Sequence, residues 1–144
     1  MKRLIVILLT AGLLQVSTEI RSCTNFLVTP GASVNGTSMI TYAADAHVLY
    51  GELYYTPAAT YPEGTMLSIY EWDTNKFLGQ IKQVRKTYSV VGNMNEHQLA
   101  IGETTYGGRS ELRDTTGIVD YGSLIYITLQ RAKTAREAIN IMAE

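Results

Sequence analysis

The chain has 144 residues, 46% of them apolar and 17% charged, with a net charge of −1 at pH 7. That is long enough and apolar enough for one domain with a core, and it excludes a disordered chain. The near-zero charge gives no electrostatic reason to expect nucleic acid or an anionic membrane surface as a partner. Ten tyrosines stand against two phenylalanines, and there is one cysteine. A single thiol permits no intramolecular disulfide and no cysteine-based zinc site.

Residues 1–22 differ in character from the rest. Met1-Lys2-Arg3 is basic, Leu4 to Val16 is an apolar run, and Ser17, Thr18 and Glu19 are polar. The run is shorter than the roughly 20 apolar residues a membrane-spanning helix requires, so the order reads as a signal peptide or signal plus short propeptide. The chain is therefore expected to be secreted or periplasmic, touching a membrane only through that segment. A lone cysteine in such a chain needs a purpose, because an unpaired thiol is a liability in an oxidising compartment. Cys23 is an inert buried thiol, a lipid-attachment site or a nucleophile. Arg21 disfavours lipidation, and a strand follows the cysteine at once where a lipidated cysteine is usually followed by a linker.

Thr24 to Thr29 reads as a strand apolar on both faces, which predicts burial on both sides. Pro30 to Ser33 is a turn. Asn35-Gly36 is a hairpin signal, and the Asn35-Gly36-Thr37 sequon is read as turn chemistry. Ser38 to Ala43 returns, ending at Asp45 and His47. Leu49 to Tyr55 is a third strand candidate. Met66 to Trp72 and Lys76 to Ile81 flank an Asp73-Thr74-Asn75 turn. Thr87 to Val91 and Leu99 to Thr105 flank a loop from Gly92 to His97. The period then changes: Tyr121 to Ala132 predicts a buried helix capped by Asp120. Thr134 and Glu137 form a capping box opening a second helix, which reaches Glu144 without a C-cap. Strands followed by helices predict an α+β fold. Residues 23–144 are expected to be the N-terminal part of a longer domain, inactive by itself.

If Cys23 becomes the first residue, its thiol and α-amine share one carbon. Ordinary values are about 8 for the amine and about 8.5 for the thiol, so one group can take the other's proton. That places nucleophile and base on a single residue. His47 and His97 offer a cysteine–histidine alternative, but they lie in turns and have no spaced partners for a metal set. No cofactor or metal is expected.

Cys23-Thr24-Asn25-Phe26-Leu27-Val28, Thr41-Tyr42-Ala43-Ala44-Asp45-Ala46-His47 and Leu49-Tyr50-Gly51-Glu52-Leu53 resemble the C69 family of cysteine dipeptidases. So do the run from Gly92 to Thr105 (Gly-Asn-Met-Asn-Glu-His-Gln-Leu-Ala-Ile-Gly-Glu-Thr-Thr) and Asp120-Tyr121-Gly122-Ser123-Leu124-Ile125-Tyr126. The resemblance implies an N-terminal nucleophile hydrolase with two stacked antiparallel sheets flanked by helices (αββα), incomplete in this chain. It implies dipeptide substrates, attack by Cys23 and an acyl-enzyme intermediate. In the related choloylglycine-hydrolase group an aspartate at the place of Asp45 contacts the nucleophile's amine, and that role is carried over to Asp45. That group has an arginine three residues earlier, where this chain has Tyr42. Substrate-binding residues are not assigned; Asn93, Asn95, Glu103 and Thr105 are candidates for substrate or oxyanion contacts. The rivals are a same-fold amidase acting on bile salts or penicillins, and a lipoprotein acylated at Cys23.

Overall fold

The computed structural model describes residues 23–45, 51–104, 108–112 and 114–144. The leader, His47 and Thr105 lie outside those residues. The described chain is α+β, with short antiparallel ladders followed by two helices.

Strands β1 (Thr24–Val28) and β2 (Met39–Ala43) pair in register from Thr24 opposite Ala43 to Val28 opposite Met39. The link between them opens with a one-turn 3-10 helix at Pro30–Ala32, and Gly36 later turns with positive φ, where the sequence signals place turns. The expectation of a strand buried on both faces is not met: Phe26 is 66% and Leu27 is 77% exposed. The reason is that β1 and β2 form a two-stranded ladder by themselves, so most side chains have no second layer over them among the described residues. Its Cys23 end is half-buried on one face, where the backbone at Gly102 comes close. A Cβ on Gly102 would lie 3.1 Å from Ile40 Cδ1 and 3.4 Å from Tyr42 Cβ, so glycine permits this approach.

The Leu49 to Tyr55 expectation reduces, in the described part, to β3 (Tyr55–Thr56). It joins β8 (Val90–Val91) and β9 (Met94–Asn95) in one sheet. β4 (Ala59–Thr60) pairs with β7 (Lys86–Thr87), and β5 (Met66–Tyr70) pairs with β6 (Phe77–Lys82). The β5–β6 turn uses Asn75 at φ +58°, a conformation asparagine tolerates better than most residues. The β8–β9 turn is tighter than expected. Gly92 and Asn93 alone connect Val91 to Met94, with Gly92 at φ +52°, so the return strand begins at Met94 and not at Leu99. Beyond it only Ala100 makes an isolated bridge, to Met94.

Helix α1 (Tyr121–Leu129) starts where the sequence places it but ends three residues before Ala132, and helix α2 (Ala135–Ala143) follows the Thr134 cap as expected. Thr134 Oγ accepts from Glu137 N at 3.2 Å, while Glu137 reaches back to Lys133 N, one residue before the cap. Val90, Leu99, Leu129, Ala132 and Ala138 form the core, with Ile101, Ile125 and Ile141 against it. The helices thus bury their inner side on β8 and on the segment that continues to Glu103.

Asp120 caps α1 through Ser123 N (2.9 Å) and also accepts from Trp72 N (2.6 Å), tying the helix to the β5–β6 turn. Burial works to raise its pKa, but the bonds from Ser123 and Trp72 outweigh it and hold the carboxyl below its usual range. A carboxylate depressed in the folded state adds stability above its unfolded value, near 3.8, and loses it as pH falls through the folded one. Asp120→Ala is therefore expected to cost about 1–2 kcal/mol at pH 7. The gap from the parent in urea unfolding should close below about pH 4.

Candidate active site

Side chains alternate across a strand, so Cys23, Asn25 and Leu27 share one face of the hairpin with Tyr42 and Ile40, their cross-strand neighbours. Thr24, Phe26 and Val28 occupy the other face. Asp45 follows β2 with the parity of Ala43 and belongs to the Thr24 side: Thr24 Oγ donates to Asp45 Oδ2 at 2.7 Å. The two sequence-assigned residues therefore lie at the same end of the hairpin, on opposite faces.

The thiol face is built by the segment after Leu99. Asn25 Nδ2 donates to the Glu103 carbonyl at 2.5 Å, and Thr104 Oγ donates to the Cys23 carbonyl at 3.2 Å. These bonds clamp the strand bearing Cys23 against residues 102–104. Tyr42 Oη donates to Glu103 Oε1 at 2.9 Å. Burial, then the hydrogen bond and charge of Glu103, then the charge and hydrogen bonding of Cys23, drive the Tyr42 pKa far above its ordinary value. Tyr42 is thus a neutral phenol between a carboxylate and the thiol.

A second tyrosine–carboxylate pair stands at the start of α1. Tyr121 Oη donates to Asp73 Oδ1 and Oδ2 at 3.0 and 3.2 Å. Burial first, then the Asp73 bond and the charges of Asp73, Glu103 and Asp120, push its pKa up to about 12. The field of Glu103 thus reaches the helix N-terminus. A separate cavity of about 390 Å³ between β5 and α1 is lined by Tyr54, Trp72, Ser123 and Tyr126 among others; Cys23 is not part of its wall.

The other candidates separate clearly. Asn95 is buried and structural: its amide holds the Leu129 and Ala132 carbonyls and the His97 and Leu99 amides. Asn93 ties its own turn to the Ile101 carbonyl at 2.7 Å. His97 packs edge-on to Tyr88, with ring centroids 4.5 Å apart, and lies 3.9 Å from Glu96. Among the described candidates, Glu103 is the one brought to the face that bears Cys23, through Asn25 and Tyr42. Thr24, Tyr42 and Thr104 are additions that sequence reading did not assign. Tyr42 had one usable signal, its cross-strand parity with Cys23. Among the described residues no cluster of three or more His, Cys, Asp and Glu could hold a metal ion.

A half-buried thiol at a strand end, with a phenol–carboxylate pair on its own face of the hairpin, is an arrangement suited to nucleophilic hydrolysis. Residues 22–144 match peptidase family C69, and the chain belongs to that family of peptide hydrolases. No curated protein and no solved structure matches it.

Proposed function

We propose that the protein is a secreted or periplasmic cysteine dipeptidase of the N-terminal nucleophile type, with Cys23 as its first mature residue and an αββα fold. The observation that carries this reading is the family match, which spans the chain from Ser22 onward, with Cys23 at the head of β1. Residues 1–21 lie outside the match, in keeping with a removable leader.

In this mechanism the Cys23 α-amine takes the thiol proton and the sulfur attacks the scissile carbonyl. The S–C bond forms, the peptide C–N bond breaks, and the new ammonium returns its proton to the departing amine. Water then attacks the thioester, releasing the second product and restoring the thiol. Asp45, bonded to the neighbouring Thr24 at the same end of the hairpin, is assigned the task of holding and orienting the ammonium. The Thr24 hydroxyl at 2.7 Å fixes the carboxylate for that task.

The mass of the mature N-terminus tests the reading. Secretion of the natural full-length protein should yield a chain starting at a free Cys23 that releases amino acids from dipeptides. A diacylglyceryl adduct on Cys23, or an active enzyme that retains residues before it, would overturn the proposal.

A further inference from the structure

Three acidic or nucleophilic groups come together on one face of the β1–β2 hairpin, and two of them can accept the phenol hydrogen of the third. The Tyr42 phenol has a single proton. Its oxygen stands between Glu103, 2.9 Å away, and the Cys23 side chain. The backbone from which Glu103 projects is fixed, because its carbonyl is held by Asn25 and the adjacent Thr104 is bonded to the Cys23 backbone. The close approach at Gly102 packs the same segment onto Ile40 and Tyr42.

We propose that Tyr42 and Glu103 act as a positioning pair for the Cys23 sulfur, with Glu103 holding the phenol hydrogen in the resting state and Tyr42 turning it to the sulfur when the thiol ionises. An ionised carboxylate only accepts, so in the resting state the phenol donates to Glu103 and its lone pairs face the S–H. When the thiol proton leaves for the Cys23 amine, the sulfur becomes the second anion competing for that hydrogen. The phenol itself never ionises in the cycle, because burial and two acidic neighbours keep its proton in place. Tyr42 thus lowers the cost of the thiolate, while the Glu103 charge raises it. The pair keeps the sulfur aimed and limits how much thiolate is present before substrate arrives. Among the described residues, the other charged or titratable groups near this face are Asp45, held by Thr24 on the far side of the hairpin, and Tyr121 with Asp73 at the start of α1.

The proposal rests on Cys23 being the nucleophile, but its test needs no peptide turnover. Cys23 is the one cysteine of residues 1–144, so iodoacetamide alkylation followed by mass spectrometry of the proteolytic peptide that carries it reports Cys23, whatever thiols lie elsewhere in the protein. The rate of alkylation is measured against pH in the natural full-length protein. Tyr42→Phe keeps the ring and removes the donor; its profile midpoint is expected to move up by about one pH unit. Glu103→Gln keeps the shape and removes the charge; its midpoint is expected to move down by about one unit. A purely structural role would move both variants the same way or neither, and either outcome overturns the pair. If one variant fails to fold, the other still overturns the pair when its midpoint stays in place or moves against its expected direction. A flat alkylation profile would remove the pair's role and leave the nucleophile itself to the Cys23→Ala measurement.

Discussion

Cys23→Ala is expected to lower dipeptide hydrolysis by the natural full-length protein at least about 1000-fold in kcat/KM, with folding unchanged. Alanine fits a half-buried position at a strand end, so the loss reports chemistry and not packing. Cys23→Ser is the sharper version. It keeps the geometry, but a hydroxyl is a far poorer nucleophile than a thiol at neutral pH, so a large loss remains. A chain prevented from losing residues 1–22 should be equally inactive with its sulfur untouched, because the base in this mechanism is the α-amine. Hydrolysis that survived Cys23→Ala would remove the residue from the mechanism.

The second large effect concerns stability. Asn95→Ala is expected to cost about 3 kcal/mol or more, read as a lower urea midpoint at unchanged slope. Asn95 Nδ2 donates to the Leu129 carbonyl at 2.8 Å and the Ala132 carbonyl at 2.7 Å. Its Oδ1 accepts from His97 N at 3.0 Å and Leu99 N at 3.2 Å. One buried side chain therefore satisfies the orphan carbonyls at the end of α1 and the turn that launches the segment toward Glu103. Alanine leaves four backbone groups without these partners. Asn95→Asp should be no better, since a carboxylate cannot donate to two carbonyls. Asn93→Ala, which removes a single bond at an exposed residue, should cost much less. Equal losses at Asn93 and Asn95 would mean that the clamp is not what holds this region.

The two asparagines stand two residues apart in one turn-rich sequence, and both looked suited to substrate contact. Nothing local distinguishes them. Asn95 becomes structural only because the chain between it and Leu129 folds back and presents two carbonyls to it. A similar point applies to Leu49 to Tyr55. Its tyrosine-rich pattern suits a strand, yet the described part contributes only Tyr55–Thr56, because only those two residues find a partner in β8.

What the sequence determined by itself was whatever is decided within a few residues. The β1–β2 and β5–β6 hairpins, the Asp120 cap, the Thr134 start of α2 and the apolar run of α1 were all legible, because turns and caps are short-range chemistry. Family membership was legible as well, carried by several long words in order. The site around Cys23 was legible only in part. The thiol, its place at the head of a strand and the nearby Asp45 could be read from the chain. The Tyr42–Glu103 bond joins residues 61 apart and the Thr104–Cys23 bond residues 81 apart. No periodicity encodes such contacts; they exist because the core seats Leu99 and Ile101 under the helices and so delivers Glu103 to the hairpin. Tertiary packing alone decided which polar residues reach the thiol and which hold up the fold.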